Sequence, residues 1–420
     1  MTRLVVHRAG RRVGVLDRAP NDDVRFTYDT EVAQRANPVD AVGFRCPVRD
    51  TPWVGREALA VFENLLPEGG LRDALGQLTK HDASDTVGLL GVVGGECAGA
   101  LQLWPEDVEP ARDPRYEVLP AGGLDSLFGL AAGLRSQVEG RASLSGTQAK
   151  LALWRVPPTG DAGVEYRLPR GGAASTVVLK RDDGRFAGLL EAELFGMRLM
   201  AAAGVPTASS VPSRLDRACH ESARFDRVVH ADGTVTRLHA EDGCQLTGRL
   251  SRQKYAGQGG PTYQELVAVL ERLSLDPLTD REHLFRWAVA NAAMGNYDAH
   301  AKNLSVVYTQ GDRVRLAPAY DVVVTAVYPA LDQTFALAFA GTTDPRALTP
   351  AGLRKAAREF RLSAVRALAL AAEVCDLVAA ATDEVAQEVS RSGGSREVLD
   401  LLVRSVRDTQ ARVVKGLLGR

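Results

Sequence analysis

The stretch GNYDAHAKNLSVVYTQGDRVRLAPAYD, residues 295–321, decides how this chain is read. An apolar run of helical spacing, LFRWAVANAAM (284–294), leads straight into it, and Gly295 stands where a helix would stop. Asp298, His300, Lys302 and Asn303 then crowd into one short loop. LSVVY (304–308) and RVRLAP (313–318) read as strands, with TQGD as the turn between them. An antiparallel hairpin brings the chain back beside Asn303 near Pro318, and Asp321 follows. At roughly 3.3 Å per extended residue, Asp321 is expected to face the same point as Asn303.

That arrangement has a chemistry. An acceptor able to orient and deprotonate an alcohol, beside oxygen ligands for a hard cation, is what phosphoryl transfer needs. Asp298 and Asn303 follow D-x-x-x-x-N, the spacing of the protein-kinase catalytic loop, and loop, hairpin, metal-binding Asp is the kinase order. The plain alternative is a helix cap with a polar turn. Asp298 alone does not exclude it; Asp298, Asn303 and Asp321 together favour function. His300 reads as a structural hydrogen-bonder and Lys302 as either a phosphate contact or a solvated cation.

The rest of the chain limits the alternatives. It has 420 residues, too many for one simple core, so two or three domains or lobes are expected. The formal net charge is −1, which argues against broad direct binding to nucleic acid or an anionic membrane. Cys46, Cys97, Cys219, Cys244 and Cys375 are scattered without a C-x-x-C pair and read as reduced thiols. No signal peptide and no span of about 18 apolar residues is visible, so a soluble cytoplasmic protein is expected.

RLVVHR and RVGVLDR around AGR suggest a hairpin, and REALAVFENLLPEG a helix with a Gly stop. GLLEAELFGMRLMAAAG reads as a helix ended by Gly204. Thr262 with Glu265 forms a capping-box pattern, and Thr349 with Pro350 a second helix start. The layout is α+β: a small mixed lobe, then a larger, mainly helical one. On the nucleotide side, SLSGTQAK (143–150) is a small-residue turn able to bring backbone amides near phosphate oxygens. STVVLK ends in Lys180, and the helix that follows carries Glu191 and Glu193; Glu193 is the preferred ion-pair partner of Lys180.

FENLLPEGGLRDAL, ECAGAL, SLSGTQAKLAL, STVVLK, RFDR, HAEDGCQ, KYAGQGGP, GNYDAHAKNLSV and LAPAYDVV, in this order over nearly the whole chain, resemble the HipA-type serine/threonine kinases, toxins of HipA–HipB toxin–antitoxin pairs. The resemblance implies a protein-kinase-like two-lobed fold with an added N-terminal α/β subdomain. Its segments would be 1–132, contacting the antitoxin, 133–227 with phosphate loop and hinge, and 228–420 with the catalytic loop. It implies ATP and Mg²⁺ as cofactors, Asp298 as catalytic base, and Asn303 and Asp321 as metal ligands. ATP contacts would come from Ser145, Gly146, Thr147, Gln148, Ala149, Lys150, Lys180, the hinge Ala223, Arg224 and Phe225, and His300, Lys302, Asn303, Tyr320 and Asp321. Ser143 and Ser145 would be autophosphorylation sites that switch the enzyme off by charge. The implied substrate is an aminoacyl-tRNA synthetase, glutamyl-tRNA synthetase foremost, whose modification stalls growth and gives persistence. The implied partner is a HipB-like helix-turn-helix antitoxin that brings the kinase to operator DNA. Many relatives carry Glu where this chain has Ala223, and His near the position of Val177.

Other readings are an inactive kinase-fold co-repressor that binds antitoxin and operator DNA, and a small-molecule phosphotransferase. The second is disfavoured by the extra N-terminal segment and by SLSGTQAK. A zinc enzyme lacks a second cluster beside His239, Glu241 and Cys244, and no G-x-S-x-G elbow marks a hydrolase.

Overall fold

The computed structural model describes residues 2–420 except 111–114, 120–123, 129, 144–149, 157–163, 183, 185 and 217. Two compact units emerge, one from residues 1–181, 213–251 and 307–312, the other from 182–212, 252–306 and 313–420. The three segments drawn from the sequence follow chain order; these units follow packing.

In the first unit, Leu4–Arg8 and Arg11–Arg18 pair antiparallel across Ala9 and Gly10. Both turn residues have positive φ, 49° and 78°, as a two-residue turn matched to strand twist requires. The sheet runs Trp53–Val54, Val24–Tyr28, Arg11–Arg18, Leu4–Arg8, Leu101–Pro105. Phe26, Phe62, Leu66, Leu89 and Leu90 fill its core. The helix expected to run to a Gly stop instead covers Arg56–Phe62 and tightens into a 3-10 turn at Glu63–Leu65. Pro67 holds Leu66 extended, at ψ 158°, and Gly69 opens the next helix rather than closing this one.

A second antiparallel sheet of this unit runs Cys219–Ala223, Val177–Arg181, Lys150–Arg155, Tyr166–Arg170, Arg115–Val118. Leu151, Leu153, Leu168, Val177 and Leu179 pack on one face. The register sets Lys180 opposite both Lys150 and His220, so the three share the other face, with Ala152 opposite Val178.

The second unit is mainly helical. Thr262 and Glu265 form the expected capping box of Tyr263–Leu273. Thr349 caps Pro350–Glu359 through the Gly352 N–H, with Pro350 at the first turn. The 28-residue helix Ala364–Arg391 and the helix Arg396–Val413 follow, separated at RSGGS. Pro277–Met294 carries the run that decides the site: Phe285, Val289, Ala290, Ala293 and Met294 are fully buried, so the helix forms a rigid support. The fold is α+β.

Candidate active site

Pro277–Met294 ends at Gly295 in the left-handed conformation, φ 76°. A Cβ there would lie 2.6 Å from the Ala326 Cβ, so both backbone and space call for glycine. Beyond it the loop is pinned. Asn296 donates to Asn291 Oδ1 at 2.8 Å, Tyr297 N–H to Thr325 Oγ1 at 2.8 Å, and Ala336 N–H to the Tyr297 carbonyl at 3.0 Å. Among residues 295–303 Asp298 alone is exposed; His300, Lys302 and Asn303 are buried. One carboxylate therefore reaches solvent from a fixed, otherwise buried loop.

Asn303 Nδ2 donates to the Asp298 carbonyl at 3.2 Å, which orients the amide and directs its oxygen away from that carbonyl. The chain comes back as expected. Ala317 N–H donates to the Ser305 carbonyl at 2.9 Å, and the Tyr320 hydroxyl contacts the Lys302 carbonyl at 2.7 Å and Ser305 Oγ at 2.6 Å. Tyr320, beside Asp321, is thus tied to Lys302, beside Asn303. Asp321 itself sits at φ 57°, a left-handed conformation that a non-glycine residue holds only when its surroundings impose it. Burial drives the His300 pKa well below its ordinary value; Lys254 adds to this, the Asp321 carboxylate opposes it and Lys302 adds again. His300 is accordingly a neutral imidazole close to Asp321, not a cation for phosphate.

The helix Leu189–Ala202 packs on the residues after Asp321. The Val324 N–H donates to the Ala192 carbonyl at 3.4 Å, and a Cβ on Gly196 would come within 2.5 Å of the Val322 carbonyl oxygen. Glu193 lies between these contacts and is buried. Lys180, buried at 4 % exposure, belongs to the first unit.

In the first unit the residues expected on the nucleotide side fall into three sets. Lys150 and Lys180 occupy paired positions of neighbouring strands. Like charges placed directly opposite each other are unfavourable by themselves. Ala223 ends its strand and the Arg224 N–H donates to the Thr176 carbonyl at 3.0 Å, but the Arg224 guanidinium turns inward, to Asp226, Glu96, Ser175 and the Cys97 carbonyl. Any contact of Ala223, Arg224 and Phe225 with a base therefore falls to backbone groups and the Phe225 ring. Ser143 is buried and its hydroxyl donates to the Leu65 carbonyl at 2.5 Å. Ser145, Gly146, Thr147, Gln148 and Ala149 lie outside the described residues.

Two features were not assigned from the sequence. Tyr255 donates to Asp298 Oδ1 at 2.8 Å. Glu96 accepts from three arginines, Arg224, Arg227 and Arg237. KYAGQGGP announces a tight turn by its glycines, but nothing local announces a partner 43 residues away.

Asn303 and Asp321 suit Mg²⁺, which takes oxygen ligands and is held by one or two protein groups together with substrate phosphates. Among the described residues no group of three or more His, Cys, Asp or Glu is placed to hold a metal ion. His239, Glu241 and Cys244 are buried, and Glu241 accepts from the Phe44 N–H and the Tyr308 hydroxyl. Among those residues no helix is long and apolar enough to cross a membrane.

The α+β fold, protein-kinase-like with an N-terminal subdomain, is that of one family. Residues 142–386 match the HipA-like C-terminal domain and residues 4–104 the HipA N-terminal domain. The chain belongs to the HipA family. It is 36 % identical over 338 residues to "Putative kinase Y4mE" of Sinorhizobium fredii, covering 78 % of each chain. To the "Serine/threonine-protein kinase toxin HipA" of Shewanella oneidensis it is 27 % identical over 305 residues, covering 68 % of this chain and 67 % of that one. Its fold resembles the toxin chain in the Shewanella oneidensis structure of HipA, HipB and operator DNA, with a TM-score of 0.79, 22 % identity, and coverage of 99 % and 97 %.

Proposed function

We propose that this chain is a Mg²⁺- and ATP-dependent serine/threonine protein kinase acting as the toxin of a HipA–HipB-type pair. The observation that carries the reading is the exposed Asp298 carboxylate on a loop whose other residues are buried, beside an oriented Asn303 amide and a strained Asp321. Asp298 orients the acceptor hydroxyl and takes its proton. Asn303 and Asp321 would hold the cation, and Lys150 and Lys180 of the first unit's sheet are the phosphate contacts that the family implies. Mg-ATP, when bound, supplies an activated phosphoryl group and a leaving ADP. His300 and Tyr320 keep the loop in shape rather than carrying charge to the phosphates, and Lys302 lines its buried side.

The finer assignments rest on the family: an aminoacyl-tRNA synthetase such as glutamyl-tRNA synthetase as substrate, inhibition of translation leading to persistence, and a HipB-like antitoxin as the partner that contacts operator DNA. Phosphorylation of Ser143 or Ser145 would switch the enzyme off. For Ser143 it requires release of the hydroxyl from the Leu65 carbonyl.

The test is incubation of the purified chain with radiolabelled ATP, Mg²⁺ and a cell lysate. A labelled protein band is expected. Asp298→Asn should reduce its rate by roughly 10²- to 10⁴-fold, the usual contribution of a positioned base. A labelled metabolite would point to a small-molecule phosphotransferase, and no label at all to a co-repressor without activity.

A further inference from the structure

The segment 254–260, KYAGQGG, lies outside the loop, the hairpin and the sheet described above, yet it is fastened to the catalytic loop at several points. The Ala301 N–H donates to the Lys254 carbonyl at 3.2 Å. The Ala256 N–H donates to the Ala336 carbonyl at 2.7 Å, and the Ala336 N–H donates in turn to the Tyr297 carbonyl. The backbone on either side of residue 255 is therefore tied to the loop that carries Asp298, directly at Ala301 and through Ala336 at Tyr297.

The segment is also closed on itself. The Gln258 and Gly260 N–H groups both donate to the Tyr255 carbonyl, each at 2.9 Å. Gly259 has φ 78°, and a Cβ on Gly260 would lie 2.6 Å from the Tyr255 carbonyl oxygen. Two glycines thus allow the chain to fold back on the residue that carries the phenol. The Tyr255 ring meets the His300 ring edge to face, at 5.3 Å and 82°, and the Lys254 ammonium sits 5.3 Å from its centroid. Backbone, ring and neighbours leave the hydroxyl little freedom, and it donates to Asp298 Oδ1 at 2.8 Å.

We propose that Tyr255 is a positioning residue of the phosphotransfer site: its hydroxyl fixes the rotamer of the exposed Asp298 carboxylate, so that the acceptor alcohol meets a base already oriented. An aspartate at the surface otherwise samples several rotamers, and only one aims a carboxylate oxygen at a given point. Catalysis depends steeply on such pre-orientation. The inference rests on the kinase reading above and adds a residue to it.

The experiment compares Tyr255→Phe, which removes one oxygen, with the wild type. Initial rates of radiolabel transfer from ATP into lysate protein are measured over the Asp298→Asn background, at varied ATP, with melting curves on the same preparations. The expected result is a kcat lowered by about 5- to 50-fold, since orientation at one catalytic group is being relaxed. The KM for ATP should stay within about twofold and Tm should not move, because a ring of the same shape still packs on His300. Tyr255→Ala, which also removes the ring, should lose at least as much kcat. A wild-type kcat in Tyr255→Phe overturns the proposal, and so does a loss that appears in KM or follows a fall in Tm. Failure of the kinase reading is separately visible: the wild type then transfers no label, or Asp298→Asn transfers it equally well.

Discussion

Each unit of this protein holds a knot of charge, and the two are finished in opposite ways. In the first unit Glu96 is fully buried. Its Oε1 accepts from the Ser175 N–H and hydroxyl, from Arg224 at 3.2 Å and from Arg227 at 2.9 Å. Its Oε2 accepts from Arg237 at 2.8 Å. Asp226 takes a second contact from Arg224 and one from Arg227, each at 2.9 Å or less, and accepts from the Gly99 N–H. In the second unit the Asp298 carboxylate reaches solvent, and Asp321, expected to share a cation with Asn303, is held at a positive φ.

The difference separates scaffold from site. A buried charge with all its partners inside the protein has nothing left to offer a ligand, and removing one partner leaves the others stranded. A carboxylate delivered to solvent by a buried loop keeps its chemistry available. Arg224 shows the cost of reading such a residue from its neighbours in the chain. It stands in RFDR beside the expected hinge, yet its side chain belongs to the scaffold.

The largest effect that sharpens this contrast is Glu96→Ala. It takes the carboxylate from Arg237 and leaves Arg224 and Arg227 to share Asp226, and it should destabilise the fold by about 3–5 kcal/mol, read from urea unfolding. A loss below about 1 kcal/mol would mean that the network is not a scaffold.

Acid supplies the next test. Burial by itself pushes the Glu96 pKa up, but Arg227, Arg237 and Arg224 outweigh it and bring it from 4.5 down to about 2. A carboxyl depressed in the fold stabilises it above the unfolded value, and that stability drains away as pH falls from about 4.5 toward 2. At 1.36 kcal/mol per unit, this one group contributes about 3 kcal/mol. Unfolding free energies measured across that window should fall more steeply for the wild type than for Glu96→Gln.

The smallest effect belongs to the other knot. Asp298→Asn keeps the shape of an exposed side chain and should leave stability within about 0.5 kcal/mol of the wild type, while transfer collapses. A marked fall in Tm on this substitution would erase the distinction between the two regions.

Much of the second unit's site was readable because its logic is local. Asp298 and Asn303 share one loop, and Gly295 ends the helix before it as a stop signal should. The two short strands after Asn303 return the chain, and Tyr320 ties the end of that return to Lys302. Capping at Thr262 and Thr349 was equally legible, since a side chain that caps a helix reaches only a few residues along the chain. The helix that begins at Arg56 is shorter than its apolar pattern suggests because Pro67, ahead of the glycines, ends it. Glu63, at that end, is drawn to the Ser251 N–H and to Arg72, a pull the helical pattern does not encode.

By itself the sequence determined the α+β class and set out Asp298, Asn303 and Asp321 as candidates, because periodicity, turn chemistry and short spacings act over a few residues at a time. Only the tertiary structure decided that Tyr255 reaches Asp298, that Arg224 turns to Glu96 across 128 positions, and that each compact unit gathers three separate stretches of chain. Those pairings depend on how whole surfaces pack and on where each buried polar group finds its partner.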